Sequence, residues 1–332
     1  MSPTVFCWVS GSPSPLSTSE NDVTDAAKLP GISWLAADWG TSSLRVWAID
    51  GSGRVIASAT SGRGMGSLTS EEYEVAFLEL AGDWLPQEPT GRIPVLVCGM
   101  AGAKQGWQEA GYSQVPCPPV DPVALTRVRV QDPRLDVFIV PGICQLEPPD
   151  VMRGEETQLA GLTASGILDG TVCMPGTHSK WVRLAGGRVE AFATFMTGEL
   201  FAAITQHTIL RHSLAEGDGF DSKAFLDGVG QGLEGSSALA GNLFSIRASG
   251  LLGQDGGDAA SRISGLLVGT ELAANQALWR EGEAHLVGDS RLVENYALAI
   301  RTVGGRPVVH DGEALVLAGL KQVRSAMLEN AA

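Results

Sequence analysis

The sequence predicts an α/β protein made of two similar domains that face one another across a ligand cleft, and three observations carry that prediction. Short, continuously apolar runs such as Val95-Leu96-Val97-Cys98 and Val137-Phe138-Ile139-Val140 end in Gly or Pro, as strands buried on both faces of a sheet do. These runs alternate with segments of helical period. A hairpin also recurs: setting Gly40 on Gly176, an offset of 136 residues, pairs Gly-Thr-Ser-Ser-Leu-Arg-Val with Gly-Thr-His-Ser-Lys-Trp-Val. Each copy follows an apolar strand and precedes a Gly turn and Arg-Val, the mark of a duplicated βββ unit. Length agrees, since 332 residues at roughly 150 per domain make two domains.

Taken in order, residues 1–30 mix Ser, Pro, Thr and Asp without an apolar period and read as a disordered tail. The first domain, 31–168, opens with an apolar strand into Asp38, a second strand Leu44–Ile49 and a turn at Asp50-Gly51-Ser52-Gly53. Thr69-Ser70-Glu71-Glu72 has capping-box form before Tyr73, Phe77, Leu80 and Trp84, so a helix of about four turns is expected up to Pro86. Strands at 93–98 and 137–140 and a helix over 154–168 complete that domain. The second, 169–332, repeats the theme with strands at 171–174, 181–184 and 188–195. Helices are expected near 198–213, 259–280, 290–303 and 312–328, with a strand Ala284–Val287 among them. The least patterned stretch, 228–257, is expected to be a surface loop region.

Composition narrows the function. The chain is 44% hydrophobic and 18% charged, which excludes fibrous and wholly disordered classes. Its 23 Lys and Arg against 37 Asp and Glu give a net charge of −14, which argues against nucleic acid or an anionic membrane as a partner. An anionic ligand then needs a local device: backbone amides, a few placed cations or a metal ion. The five cysteines are odd in number and never spaced C-x-x-C, so neither a disulfide framework nor a zinc site is indicated. No apolar run approaches the ~18 residues of a membrane span, and the N-terminus lacks the pattern of a secretion signal, so a cytoplasmic location is expected.

Both hairpins carry phosphate-binding chemistry. In Asp38-Trp39-Gly40-Thr41-Ser42 the glycine admits a close phosphate, successive N–H groups and hydroxyls can cradle its oxygens, and the strand-end Asp can hold hydrated Mg²⁺. Pro175-Gly176-Thr177-His178-Ser179-Lys180 lacks the Asp and keeps the Gly-Thr turn. Either turn alone reads first as an ordinary β-turn; the place of both at the starts of repeated units reverses that and favours the phosphate reading. In Asp150-Val151-Met152-Arg153-Gly154-Glu155-Glu156, a helix-start carboxylate serves either as a cap or as a general base for phosphoryl transfer. Gly230-Gln231-Gly232-Leu233-Glu234-Gly235 fits G-x-G-x-x-G but follows a helical stretch, not a strand, so a dinucleotide site is not expected.

The phrases GMAGAKQGW, VPGIC, DVMRGEETQLAGL, MPGTHSKW, TFMTGELF and SGLLVGTEL resemble the 2-dehydro-3-deoxygalactonokinase family, within the acetate and sugar kinase, Hsp70 and actin superfamily. The likeness spans about residues 32–325. It implies ribonuclease H-like, actin-like ATPase domains and transfer of phosphate from ATP to a small keto-sugar acid. By the same resemblance Asp38 holds Mg²⁺, with Gly40, Thr41 and Ser42 on the phosphates from one side. Gly176, Thr177 and His178 meet them from the other, and Gly288 and the stretch Gly265 to Glu271 lie near the nucleoside. Glu155 is the first choice of base, with Glu156 left open beside it. Gly99 and Met100 line the sugar side, and Trp107 is either an apolar wall or core. The acceptor's carboxylate calls for a cation, for which Lys104 and Arg153 are the candidates; Arg45, Arg63 and Lys180 also fall within motif stretches. A kinase of the same fold for another sugar, and a non-catalytic nucleotide-binding regulator, are the alternatives.

Overall fold

Residues Ile32–Trp39 form β1, and its burial follows the pleat: Leu35, Ala37 and Trp39 join one apolar cluster, Trp34 and Ala36 another. Covered on both faces, the strand has no place for polar alternation. It pairs antiparallel with β2 (Leu44–Asp50), which pairs antiparallel with β3 (Val55–Ser61). Then comes α1 (Tyr73–Ala81), which buries Tyr73, Ala76, Phe77 and Ala81 against the Trp39 face. The expected capping box is present, with the Thr69 N–H donating to Glu72 Oε2 at 2.7 Å. It closes a 3-10 turn over Ser70–Glu72, and a second 3-10 turn follows at Gly82–Trp84, so the α-helix itself is shorter than expected.

The chain continues through β4 (Ile93–Gly99), β5 (Tyr112–Gln114), β6 (Thr126–Val128), β7 (Leu135–Ile139), β8 (Gly142–Gln145), β9 (Asp150–Met152) and α2 (Glu155–Ala164). Strands β1, β4 and β7 run parallel, giving a six-stranded sheet in the order β3-β2-β1-β4-β7-β6. A separate three-stranded sheet, β5-β8-β9, is absent from the sequence reading.

The later half holds β10 (Gly170–Met174), β11 (Ser179–Ala185), β12 (Arg188–Phe195), α3 (Thr197–His207), α4 (Ser222–Gly232), α5 (Leu239–Leu251), α6 (Ala259–Ala274) and α7 (Gln276–Trp279). After these come β13 (Glu283–Gly288), α8 (Ser290–Thr302), β14 (Arg306–Asp311) and α9 (Gly312–Ala331). The sheet order β12-β11-β10-β13-β14 matches β3-β2-β1-β4-β7 position by position, with β10 antiparallel to β11 and parallel to β13. The repeated hairpin is therefore the visible part of a repeated five-stranded sheet.

This computed structural model describes residues 31–87, 91–214, 219–254 and 257–331, so the tail expected over 1–30 lies outside the described residues. The described chain divides into two compact units. One runs to Leu168 and also takes Ala185–Ala191 and everything from Glu313; the other comprises Asp169–Leu184 and Phe192–Gly312. Thus α9 belongs to the unit of β1, where Val316, Leu320 and Val323 pack on the Trp34, Ala36, Leu96 and Cys98 face. It also lies backbone to backbone with α2, because a Cβ on Gly161 would strike the Leu315 carbonyl and one on Gly319 the Thr157 carbonyl.

The stretch expected to be a loop over 228–257 is mostly helical: α4 extends to Gly232 and α5 occupies Leu239–Leu251. Its glycines mislead because in isolation glycine disfavours a helix by about 1 kcal/mol. Here Gly228 and Gly232 of α4 lie against Gly265 and Gly269 of α6, and a Cβ on any of the four would meet backbone of the other helix. Absent side chains let the two helices touch.

Candidate active site

The end of β1 sets the first part of the site. Asp38 lies opposite Arg45 in the β1–β2 ladder and opposite Cys98 in the β1–β4 ladder. Arg45 Nη2 donates to Asp38 Oδ2 at 2.7 Å, and the Cys98 Sγ stands 3.7 Å from Oδ1. After Trp39 the chain turns, with the Gly40 N–H donating to the Ser43 carbonyl at 2.8 Å. The carbonyls of Gly40 and Thr41 accept from the N–H groups of Met65 and Gly66, at 3.1 and 2.8 Å. Because a trans peptide points its C=O and the following N–H in opposite directions, the Thr41 and Ser42 N–H groups face away from that loop. Both residues are exposed. The supporting loop needs Gly64, where a Cβ would overlap the Ser42 backbone. The reading of the sequence missed this residue, although the Gly-Arg-Gly-Met-Gly run at 62–66 marks a close backbone approach.

Beside Asp38 lies Gly99, at the end of β4, with a positive φ of 83° and room only for hydrogen: a Cβ would sit 2.5 Å from the Trp39 carbonyl oxygen. Gly154, also at positive φ, packs on Gly99, since its own Cβ would lie 3.4 Å from the Gly99 Cα. Three chain segments thus meet at one place in one unit: Asp38, Gly99, and the N-terminus of α2 with Glu155 and Glu156 in its first turn.

The two glutamates differ. Glu156 is fully buried, accepting from the Gly154 N–H at 2.6 Å and the Thr157 hydroxyl at 3.2 Å. Burial, with the Glu155 charge second, pushes its carboxyl up to about 8. Burial and then the Asp38 and Glu156 carboxylates likewise push the Cys98 thiol up. Glu155 is half-buried, and its Oε2 accepts from the Arg153 N–H at 3.0 Å.

Among the residues expected on the sugar side, Met100–Gly102 form a 3-10 turn after Gly99, and Lys104 is exposed, with no hydrogen bond or ion pair among the described residues. Trp107 is half-buried in an aromatic cluster, 5.8 Å from Trp39 edge-on and 6.1 Å from Tyr73 stacked. Arg153 lies in against the same loop, donating from Nη2 to the Ala110 carbonyl at 2.7 Å under the Tyr112 ring. Arg63 pairs with Glu79 at the surface.

The second hairpin belongs to the other unit. Gly176, Thr177 and His178 connect β10 to β11; the Thr177 carbonyl accepts from the Glu199 N–H at 3.0 Å, and His178 Nε2 meets the Glu199 carboxylate. Gly288 closes on the start of this turn, where its Cβ would lie 3.1 Å from the Pro175 carbonyl oxygen. Behind the hairpin, Glu271 of α6 is buried and accepts from Trp181 Nε1 at 2.7 Å, the Tyr296 hydroxyl at 2.8 Å and the Thr197 hydroxyl. Burial pushes its carboxyl up, and those donors oppose the shift. One carboxylate thereby joins β11, α3, α6 and α8. Next to it opens an apolar cavity of about 500 Å³ lined by Met196, Leu200, Leu239, Leu267 and Thr270.

The chain matches the model of a family described as 2-keto-3-deoxy-galactonokinase over residues 38–323, a match that starts at the hairpin Asp and ends in α9. The chain belongs to the 2-keto-3-deoxy-galactonokinase family. A Rhizobium meliloti relative described as a 2-dehydro-3-deoxygalactonokinase is 42% identical over 303 residues, covering 89% of this chain and 97% of its own. The Escherichia coli 2-dehydro-3-deoxygalactonokinase is 31% identical over 302 residues, covering 89% and 98%. A crystal structure of a Sinorhizobium meliloti protein assigned the same activity superposes with a TM-score of 0.81 at 42% identity, covering 89% of this chain and 99% of that one. Among the described residues of this family member no helix is long and apolar enough to cross a membrane.

Proposed function

We propose that this kinase transfers the γ-phosphoryl group of ATP to the primary hydroxyl of 2-dehydro-3-deoxy-D-galactonate, giving the 6-phosphate. The observation that supports the assignment of roles is the meeting of Asp38, Gly99, Gly154 and Glu155 at the ends of β1 and β4 and the start of α2.

Glu155 takes the proton of the attacking hydroxyl. It stands in the first helical turn and is accessible, whereas Glu156 is sealed in and holds its own proton near neutral pH. The acceptor oxygen bonds to the γ-phosphorus, the bridging oxygen leaves with the electron pair as ADP, and the proton stays on Glu155. Each Gly-Thr turn, Gly40, Thr41 and Ser42 in one unit and Gly176, Thr177 and His178 in the other, offers N–H groups of the kind that hold phosphate oxygens. The adenine enters the apolar cavity beside Glu271, with Gly288 on the nucleoside side; filling that cavity by Leu200→Trp raises the KM for ATP and leaves the acceptor KM alone.

Among the described residues no three Asp, Glu, His or Cys side chains gather as a metal cage. A single carboxylate, Asp38, completed by phosphate oxygens and water, is the donor set Mg²⁺ favours, so the residues present fit that ion. Mg²⁺ supplies charge neutralisation on the phosphates. Lys104, exposed and without a partner among the described residues, takes the acceptor carboxylate, with Gly99 and Met100 lining the sugar.

The test is ATP-dependent phosphorylation by the purified protein over a panel of 2-keto-3-deoxy sugar acids and neutral hexoses, with products resolved by mass and phosphate position. Preference for the galactonate-derived acid with the 6-phosphate as product supports the reading. Activity restricted to a neutral sugar overturns the acceptor, and ATP binding without turnover favours a nucleotide-binding regulator.

A further inference from the structure

Arg153 is held in an unusual way. Its Nη2 donates to the Ala110 carbonyl at 2.7 Å, its guanidinium carbon stands 4.5 Å from the centre of the Tyr112 ring, and Nη1 presses on Gly102, whose Cβ would lie 2.6 Å from it. Nε and Nη1 are buried and without a hydrogen-bond partner among the described residues. A buried guanidinium with two unpaired nitrogens depends on its remaining contacts, and here those are the Ala110 carbonyl, the Gly111 carbonyl at 3.5 Å from Nη2 and one aromatic face.

Gly102 and Ala110 are the two ends of the loop that carries Lys104 and Trp107. The Ala110 N–H donates to the Gly102 carbonyl at 3.0 Å, closing the loop at its neck, and Gly106 folds it inward with an N–H to the Ala103 carbonyl at 2.8 Å. Arg153 spans that neck. At its other side the Arg153 N–H binds Glu155 Oε2. The frame is the small sheet: Tyr112 lies on β5, which pairs with β8, and β8 pairs with β9, which leads directly into Arg153. Gly142 on β8 leaves the space the ring needs, since its Cβ would sit 2.8 Å from the Tyr112 ring.

We infer that Tyr112 and Arg153 are a positioning pair that fixes the Gly102–Ala110 loop, and with it Lys104, relative to Glu155. The inference deepens the proposed acceptor site and rests on the reading of Lys104 as the carboxylate anchor. Arg153 does not touch the acceptor; its plane does the holding. The ring acts through Arg153, so its role is set by its face and not by its hydroxyl.

The experiment measures kcat and KM for the keto-sugar acid and for ATP in Lys104→Ala, Tyr112→Leu, Tyr112→Phe, Arg153→Lys and the double variant Lys104→Ala/Tyr112→Leu, with melting temperatures as a control. Tyr112 is 45% exposed, so its replacement spares the core. Expected are a rise of about tenfold in acceptor KM for Tyr112→Leu, the size a partly desolvated cation–π contact supports, and an unchanged KM for ATP. Tyr112→Phe behaves as wild type, Arg153→Lys follows Tyr112→Leu, and the double variant is no worse than Lys104→Ala. A wild-type acceptor KM in Tyr112→Leu, or multiplicative effects in the double variant, overturns the inference. A neutral Lys104→Ala removes the anchor and with it the inference, whereas a raised acceptor KM in Lys104→Ala beside a wild-type Tyr112→Leu overturns the positioning pair alone.

Discussion

Arg45 joins two carboxylates from opposite ends of the chain: Nη2 lies 2.7 Å from Asp38 Oδ2 and Nη1 2.9 Å from Glu313 Oε2. The contact with Asp38 runs straight across the β1–β2 ladder, whereas Glu313 arrives on the first turn of α9. Asp38 is thus supplied with a fixed positive charge before any nucleotide arrives. A cation bound at the same carboxylate shares it with this guanidinium.

That sharing predicts opposite effects at the two residues. Asp38→Ala removes the metal's only protein carboxylate in the proposed site and lowers kcat/KM for MgATP by about a hundredfold, or roughly 2.7 kcal/mol. Arg45→Met frees the carboxylate and lowers the Mg²⁺ concentration that gives half-maximal activity. A magnesium titration at fixed ATP checks both, and an unchanged midpoint in Arg45→Met excludes competition.

Glu155→Gln is expected to reduce kcat by about 10²–10⁴-fold, the range of a lost general base, with ATP affinity intact. Glu156→Gln stays within about tenfold of wild type, since a neutral amide resembles the protonated carboxyl it replaces. Steady-state kinetics beside nucleotide titration separates the two, and near-normal turnover in Glu155→Gln sinks the assignment of the base.

Glu156 also makes stability depend on pH. Its carboxyl sits at about 8 in the fold against an ordinary 4.5, so the native state keeps a proton that the unfolded chain releases. The contribution is fully present below about pH 4.5 and is lost as pH rises towards 8 and beyond. Glu156→Gln therefore gains stability relative to wild type at pH 9 compared with pH 5. Urea midpoints at the two pH values measure this, and an equal difference at both contradicts it.

Glycines of α4 and α6 separate by the space around them. Gly265→Ala and Gly269→Ala force a methyl group into Phe225 and Val229 backbone and cost about 1–3 kcal/mol each. Gly230→Ala, in the same helix as Gly228 but facing open space, adds about 0.5–1 kcal/mol of stability. Thermal melts of the three variants test the pattern.

Much of the fold was legible in the sequence because its signals are local. The continuous apolar runs of β1, β4 and β7, and the repeat of the Gly40 and Gly176 turns, report strands and their duplication without reference to distant residues. What was missed depends on distance. The strands of the β5-β8-β9 sheet have three or four residues and no measurable period, so their pairing exists only in the fold. The glycines of α4 read as breakers until α6 lies against them. Glu155 and Glu156 are equivalent as adjacent first-turn acids, and only burial tells them apart. Arg153 shows the same dependence: its charge marks it in the sequence as a candidate for the acceptor carboxylate, and its hold on the Ala110 carbonyl beneath the Tyr112 ring is visible only in the fold.

The placement of α9 bears on how the chain is made. One face of the first sheet, with Trp34, Trp47 and Leu96, is covered by Val316, Leu320 and Val323, and these emerge from the ribosome after the whole of the second unit. Throughout synthesis that face stays open to solvent or to chaperones, and α2 waits for the helix that backs it. The first unit begun is the last completed, so Glu155 and Glu156 take their final places only after the other unit has been synthesised.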